Sequence, residues 1–160
     1  MIPRMIIALL TLTSLVGCAH QVRPAQTNGV LMQRSAHSVD RTVAQLEQIL
    51  SAKGFTVFAI VRHANGAASV GQTLRPTTVV VFGNPAVGTP LMRCAQSVAL
   101  DLPQKMLIYE DDDGSVWLAY NDPAYLFDRH TISGCDAWLA KIDSALSGIA
   151  SAATTRLPAP

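Results

Sequence analysis

Residues 78–103, TVVVFGNPAVGTPLMRCAQSVALDLP, decide how this chain folds. The β-branched, apolar run 78–82 reads as a strand covered by its neighbours, because few of its side chains would tolerate water. Gly83-Asn84-Pro85 reads as a turn. Thr89 then reads as a helix cap, with Pro90 at the first helical position, where a missing N–H costs nothing. The helix predicted over 91–100 turns Leu91, Ala95, Val98 and Ala99 towards a core, and Asp101-Leu102-Pro103 ends it.

Upstream, Ser38 is a good N-cap with Asp40 in the first turn. Val39, Val43, Leu46 and Leu50 then form one stripe of a 3.6-residue period, and Gly54 closes the helix. Burying such a stripe at roughly 1.5–3 kcal/mol per side chain holds the helix more firmly than intrinsic propensity does. Residues 55–61 (FTVFAIV) read as a strand, 64–76 as a short helix or a loop, and 29–35 as a weak strand. Downstream, 106–110 and 116–120 alternate apolar and polar around Asp113-Gly114, a hairpin signal. Asn121-Asp122-Pro123 starts a short helix carrying Tyr125, Leu126, Arg129 and His130. A last helix over 136–149 shows Leu139, Ile142, Leu146 and Ile149 at helical spacing. The order β-α-β-β-α-β-β-α predicts an α+β fold of two layers, a mostly antiparallel sheet with helices on one face.

The chain has 160 residues, room for one domain with a core, placed at 29–150. Only 14% of residues are charged and the net charge is +1, so no basic field exists to attract a phosphate backbone, and nucleic acid is not an expected partner. Residues 1–17 combine one cation, Arg4, with an apolar run over 5–12 that is too short to span a bilayer, and so read as a signal peptide. Leu15-Val16-Gly17-Cys18 resembles a bacterial lipobox. That resemblance implies cleavage before Cys18, lipidation of its sulfur and a membrane partner through the acyl chains. It also implies a place in the cell envelope facing the periplasm, and Ala19 favours the outer membrane where one exists. Residues 18–28 read as a tether and 151–160 as a disordered tail.

Three segments carry a further resemblance: HSVDRTVAQLEQILSAKGFTVFAIVRHA, LRPTTVVVFGNPAVGTPLM and LDLPQKMLIYEDDDGSVWLAYNDPAYLFDRH. In this order, and with FGNP-x-x-GTPLM, LDLP and YNDP-x-Y-L as the specific parts, residues 36–134 resemble the bacterial and archaeal family known as domain of unknown function 302. The resemblance implies a curved antiparallel sheet gripping helices, like the TATA-binding-protein-like folds. It implies frequent homodimers and company with redox or sulfur-handling domains, but no reaction.

Polar residues at strand and helix ends are the candidate ligand-binding set: His63, Asn84, Thr89, Asp101, Tyr120 and His130. Asn84 and Asp101 also suit turns and caps, and the histidines also suit local carbonyls. A metal or haem accessory of redox or sulfur metabolism would use His63, Met92 and His130, although HxxxH, CxxC and CxxCH spacings are missing. GxSxG and HExxH are missing too, so no catalytic residue is assigned, and the enzyme reading rests on an Asp101–His130 pair alone. In an oxidising compartment Cys94 and Cys135 read first as a disulfide, with a redox or metal pair and two separate thiols as alternatives. The acidic run 110–113 reads as a solvated hairpin tip, since it lacks the ligand spacing of a calcium loop. The function expected from all this is a lipoprotein domain that binds an unknown small ligand or an envelope protein.

Overall fold

The computed structural model describes residues 28–156. Five strands form one sheet in the order β1-β5-β4-β3-β2: β1 Val30–Arg34, β2 Thr56–Arg62, β3 Thr77–Gly83, β4 Gln104–Glu110 and β5 Val116–Asn121. Every neighbouring pair is antiparallel. The helices are α1 Val39–Ala52, α2 His63–Ser69, α3 Pro85–Cys94, α4 Pro123–Arg129 and α5 Asp136–Thr154, and a 3-10 turn covers Gln96–Leu100. The expected α+β class and antiparallel sheet are therefore present, and α2 and α4 are short helices in the two stretches where the sequence allowed them.

Period two in the strands and 3.6 in the helices meet in one core. Val80 and Phe82 of β3, Met106 and Ile108 of β4, and Leu118 of β5 point to the helix layer and are fully buried. Above them lie Val39, Val43, Leu46 and Leu50 of α1, the whole expected stripe, and Ile142, Leu146 and Ile149 of α5. Leu139 is only partly buried.

Two expectations fail around 84–100. The helix begins at Pro85, capped by Asn84, whose Oδ1 accepts the Ala86 N–H at 2.9 Å; Thr89 and Pro90 lie inside it. Asn-Pro is as good a cap signal as Thr-Pro, and the first in the chain wins because the apolar face of 87–92 extends from it. The helix also stops early: Ala95 is extended (φ −151°, ψ 109°), and 96–100 continues as the 3-10 turn. At the C-terminus the expected tail is helical to Thr154. Ala153 and Thr154 are buried, and the Thr154 carbonyl accepts the Ala36 N–H at 2.9 Å. The signal peptide, the tether through residue 27 including Cys18, and residues 157–160 lie outside the described residues.

The other sheet face carries an apolar row of its own, partly exposed at Leu107 and Val79 and buried at Ala119. Met32, Ala119, Leu107, Val79 and Val61 are successive register partners, so one apolar line crosses all five strands. Met32 and Val61, on the two edge strands, are 45% and 42% exposed.

Candidate ligand-binding cleft

A cleft of about 630 Å³ opens between β2, α3 and α5. That is within the ~300–1,000 Å³ common for small-molecule sites. Its walls are Phe55 and Phe58, Val87, Leu91 and Met92 of α3, Ala99 and Leu102 of the following segment, and Ile142, Ala145 and Leu146 of α5. Local sequence explains each wall. Phe55 is held edge-on by the buried Phe82, with ring centroids 5.8 Å apart at 80°. Gly83 lets the Phe58 ring come close, since a Cβ there would stand 3.2 Å from Phe58 Cε2. Gly88 leaves room inside α3, where a Cβ would meet only Leu102 Cδ1, at 3.8 Å.

Polar groups sit on the rim: Lys53, Asn84, Thr89, Gln104 and Lys141. Asn84 is structural in addition to being a lining residue. Its amide donates to the Gly54 carbonyl at 3.1 Å while its oxygen caps α3, so it ties the end of α1 to the start of α3. Thr89 is exposed on the same rim.

Asp101 and His130 form a second cluster, outside the lining of the cleft. His130 Nε2 and Asp101 Oδ2 are 2.6 Å apart, and the other ring nitrogen, Nδ1, is 3.1 Å from Ser97 Oγ. Arg129 Nε approaches the same carboxylate oxygen at 3.6 Å. The His130 and Asp101 side chains are 6% and 12% exposed. An imidazole between a hydroxyl and a carboxylate has the connectivity of a nucleophilic relay. Its neighbours show what else it does: the Cys94–Cys135 disulfide, with Cα atoms 6.6 Å apart, joins the same two stretches of chain. Disulfide and histidine together strap 94–101 to 129–135. That strap fixes Ala99 and Leu102, and with them one wall of the cleft.

The strand register separates the remaining expected partners. Arg62 pairs with Thr78 and Thr78 with Ile108, whereas Gln104 pairs with Phe82 at the opposite end of β3. His63, exposed at the start of α2, therefore lies on the order of 15 Å of sheet away from the end that carries Asn84, Asp101 and His130. His63, Met92 and His130 are not brought to one point, which corrects both the shared histidine pocket and the proposed ligand set. Among the described residues no three His, Cys, Asp or Glu side chains gather as a metal site. Tyr120 does not line the cleft and is a packing residue of the sheet. It faces the helix layer, 8% exposed, and burial first, then Asp143 and Asp122, push its phenol above the ordinary value.

Sequence reasoning missed Ser97, a lone serine in an irregular segment, and the two rim lysines, Lys53 and Lys141, which stand far apart in the chain. The acidic run is a structured turn. Asp111 Oδ1 accepts the backbone N–H groups of Asp113 and Ser115, and Oδ2 accepts the Trp117 indole N–H at 2.7 Å.

Sheet order, helix layer and cleft define a two-layer α+β domain with an apolar pocket at one end. The chain belongs to the family described as Domain of unknown function DUF302, whose model matches residues 32–149. A crystal structure titled uncharacterized conserved protein DUF302 from Bacillus stearothermophilus has the same fold, with a TM-score of 0.71 at 17% identity, over 78% of this chain and 98% of that one. A protein of Brucella suis biovar 1 (strain 1330) named fluoride-specific ion channel FluC 1 is 41% identical over 105 residues, 66% of this chain and 41% of that protein. The protein of the same name from Brucella abortus biovar 1 (strain 9-941) is 41% identical over 66% of this chain and 39% of its own length. The chain thus spans about two-fifths of the curated relatives it matches.

Proposed function

We propose that this protein is a lipid-anchored envelope protein, held by Cys18, whose domain binds a small apolar ligand in the cleft between β2, α3 and α5. The observation that carries the reading is the cleft itself: about 630 Å³ walled by phenylalanine, leucine, isoleucine, methionine and valine together with alanine, proline and glycine, with five polar residues among its lining. Apolar surface left open to water inside a concavity is a standing free-energy cost, of order 25 cal/mol per Å², which an apolar ligand removes. A membrane-side location agrees with the Brucella relatives, where the matching stretch forms part of proteins named ion channels. The apolar row Met32–Ala119–Leu107–Val79–Val61, exposed at Met32 and Val61, supports a second copy of the chain as partner, because an exposed apolar line is normally covered.

The test uses the neutral dye N-phenyl-1-naphthylamine with the full chain and with Gly88→Trp, which fills the cleft from α3. Dye fluorescence rises and saturates with the wild-type chain and stays flat with the variant, at matched circular dichroism. A flat response from the wild type sinks the proposal.

A further inference from the structure

The mouth of the cleft is charged in one sense only. Lys53 and Lys141 are its two charged lining residues, and no aspartate or glutamate joins them. Lys53 closes α1, its N–H bonded to the carbonyls of Ile49 and Leu50; there the negative end of the helix dipole favours a cation without any carboxylate. Lys141 sits on α5 with its ammonium 4.8 Å from the centre of the Trp138 ring. Ion pairs among the described residues go to Arg75, Arg129 and His130, so neither ammonium is neutralised by an acidic neighbour. Both lysines line the cleft and are exposed, on long flexible stems.

We infer that the ligand is an amphipathic monoanion, a single long alkyl chain ending in a carboxylate, with its chain among Phe55, Phe58, Leu91 and Leu146 and its head between Lys53 and Lys141. This rests on the reading of the cleft as a ligand site and adds the ligand's chemistry. The apolar walls select the chain and exclude small hydrophilic acids. The unpaired ammonium groups select the sign of the head, since an alkylamine of equal length meets two like charges and an alcohol meets none.

The experiment measures displacement of N-phenyl-1-naphthylamine by dodecanoate, dodecanol and dodecylamine, all below their aggregation concentrations. It uses the full chain carrying Cys18→Ser, so that no acyl group of its own enters the cleft, and the same chain carrying Lys53→Met and Lys141→Met. Dodecanoate displaces the dye at the lowest concentration, roughly threefold to thirtyfold below dodecanol, and that margin closes in the double lysine variant and shrinks with added salt. Equal displacement by dodecanol and dodecanoate overturns the anion while leaving the cleft as a ligand site. Stronger displacement by dodecylamine overturns it as well. A dye that never binds removes both readings together.

Discussion

Asp111 shows how much one carboxylate can organise. It closes the β4–β5 turn with three hydrogen bonds, the indole of Trp117 among them, and Arg34 lies near enough to add its charge. The Trp117 bond first, and then the Ser115 and Asp113 N–H groups and the Arg34 charge, outweigh desolvation and hold the carboxyl below its ordinary 3.8. A depressed folded value means that the stabilisation is present above about pH 4 and is lost as pH falls through the folded value. Denaturant midpoints taken from pH 6 down to pH 2 should therefore fall less steeply for Asp111→Asn than for the wild-type chain. Parallel curves would show that Asp111 contributes nothing. The sequence showed the acid run as a solvated tip because its partner, Trp117, lies beyond the turn, and alternation along a strand gives the face of a tryptophan but not what its N–H meets.

Elements were legible where one physical signal dominated. The α1 stripe, the Asp113-Gly114 hairpin and the Asp122-Pro123 start of α4 each follow from a short-range rule, and each stands where that rule puts it. The segment 84–101 was not, because two capping dipeptides compete there and tertiary links decide the outcome. A strap of one disulfide and one histidine holds it in a form that its apolar spacing alone does not specify. The bridge closes a 41-residue separation, which in the chain-entropy account stabilises the domain by ~4 kcal/mol. Replacing both cysteines by alanine should lower the melting temperature by roughly ten degrees, on a scaling of about 2–4 °C per kcal/mol for 150–250 residues and about 4–8 °C for 60–100. The variant should also bind the cleft dye more weakly, since Ala99 and Leu102 lose their anchor. An unchanged melting curve would show that packing alone holds the segment.

Seen whole, the molecule presents two unlike surfaces, a helical layer closed over a core and a sheet face with an apolar line across it. The sequence put helices on one face of the sheet, but the apolar line on the other face was not legible, because register is a tertiary property and alone put Leu107 opposite Val79 and Ala119. It likewise separated His63 from His130, which no local pattern could do. If that sheet face is where two copies meet, light scattering of the full chain carrying Cys18→Ser at micromolar concentration gives twice the chain mass. Leu107→Glu, a charge in the middle of that line, then gives the single mass while leaving the helix-side core untouched. A wild-type chain of single mass across that range would leave the line to another partner.

Strand direction has a consequence for where the pocket works. β1 enters the sheet at Val30 opposite Asn121, the end at which β3 finishes and β4 begins, and the cleft opens at that same end. With the anchor proposed at Cys18, about ten residue steps separate the lipid from Asn28, a leash of at most ~35 Å. The pocket then never drifts far from the bilayer surface. An amphiphile leaving the membrane meets it at the high effective concentration of a tethered pair, so even a weak site would stay occupied.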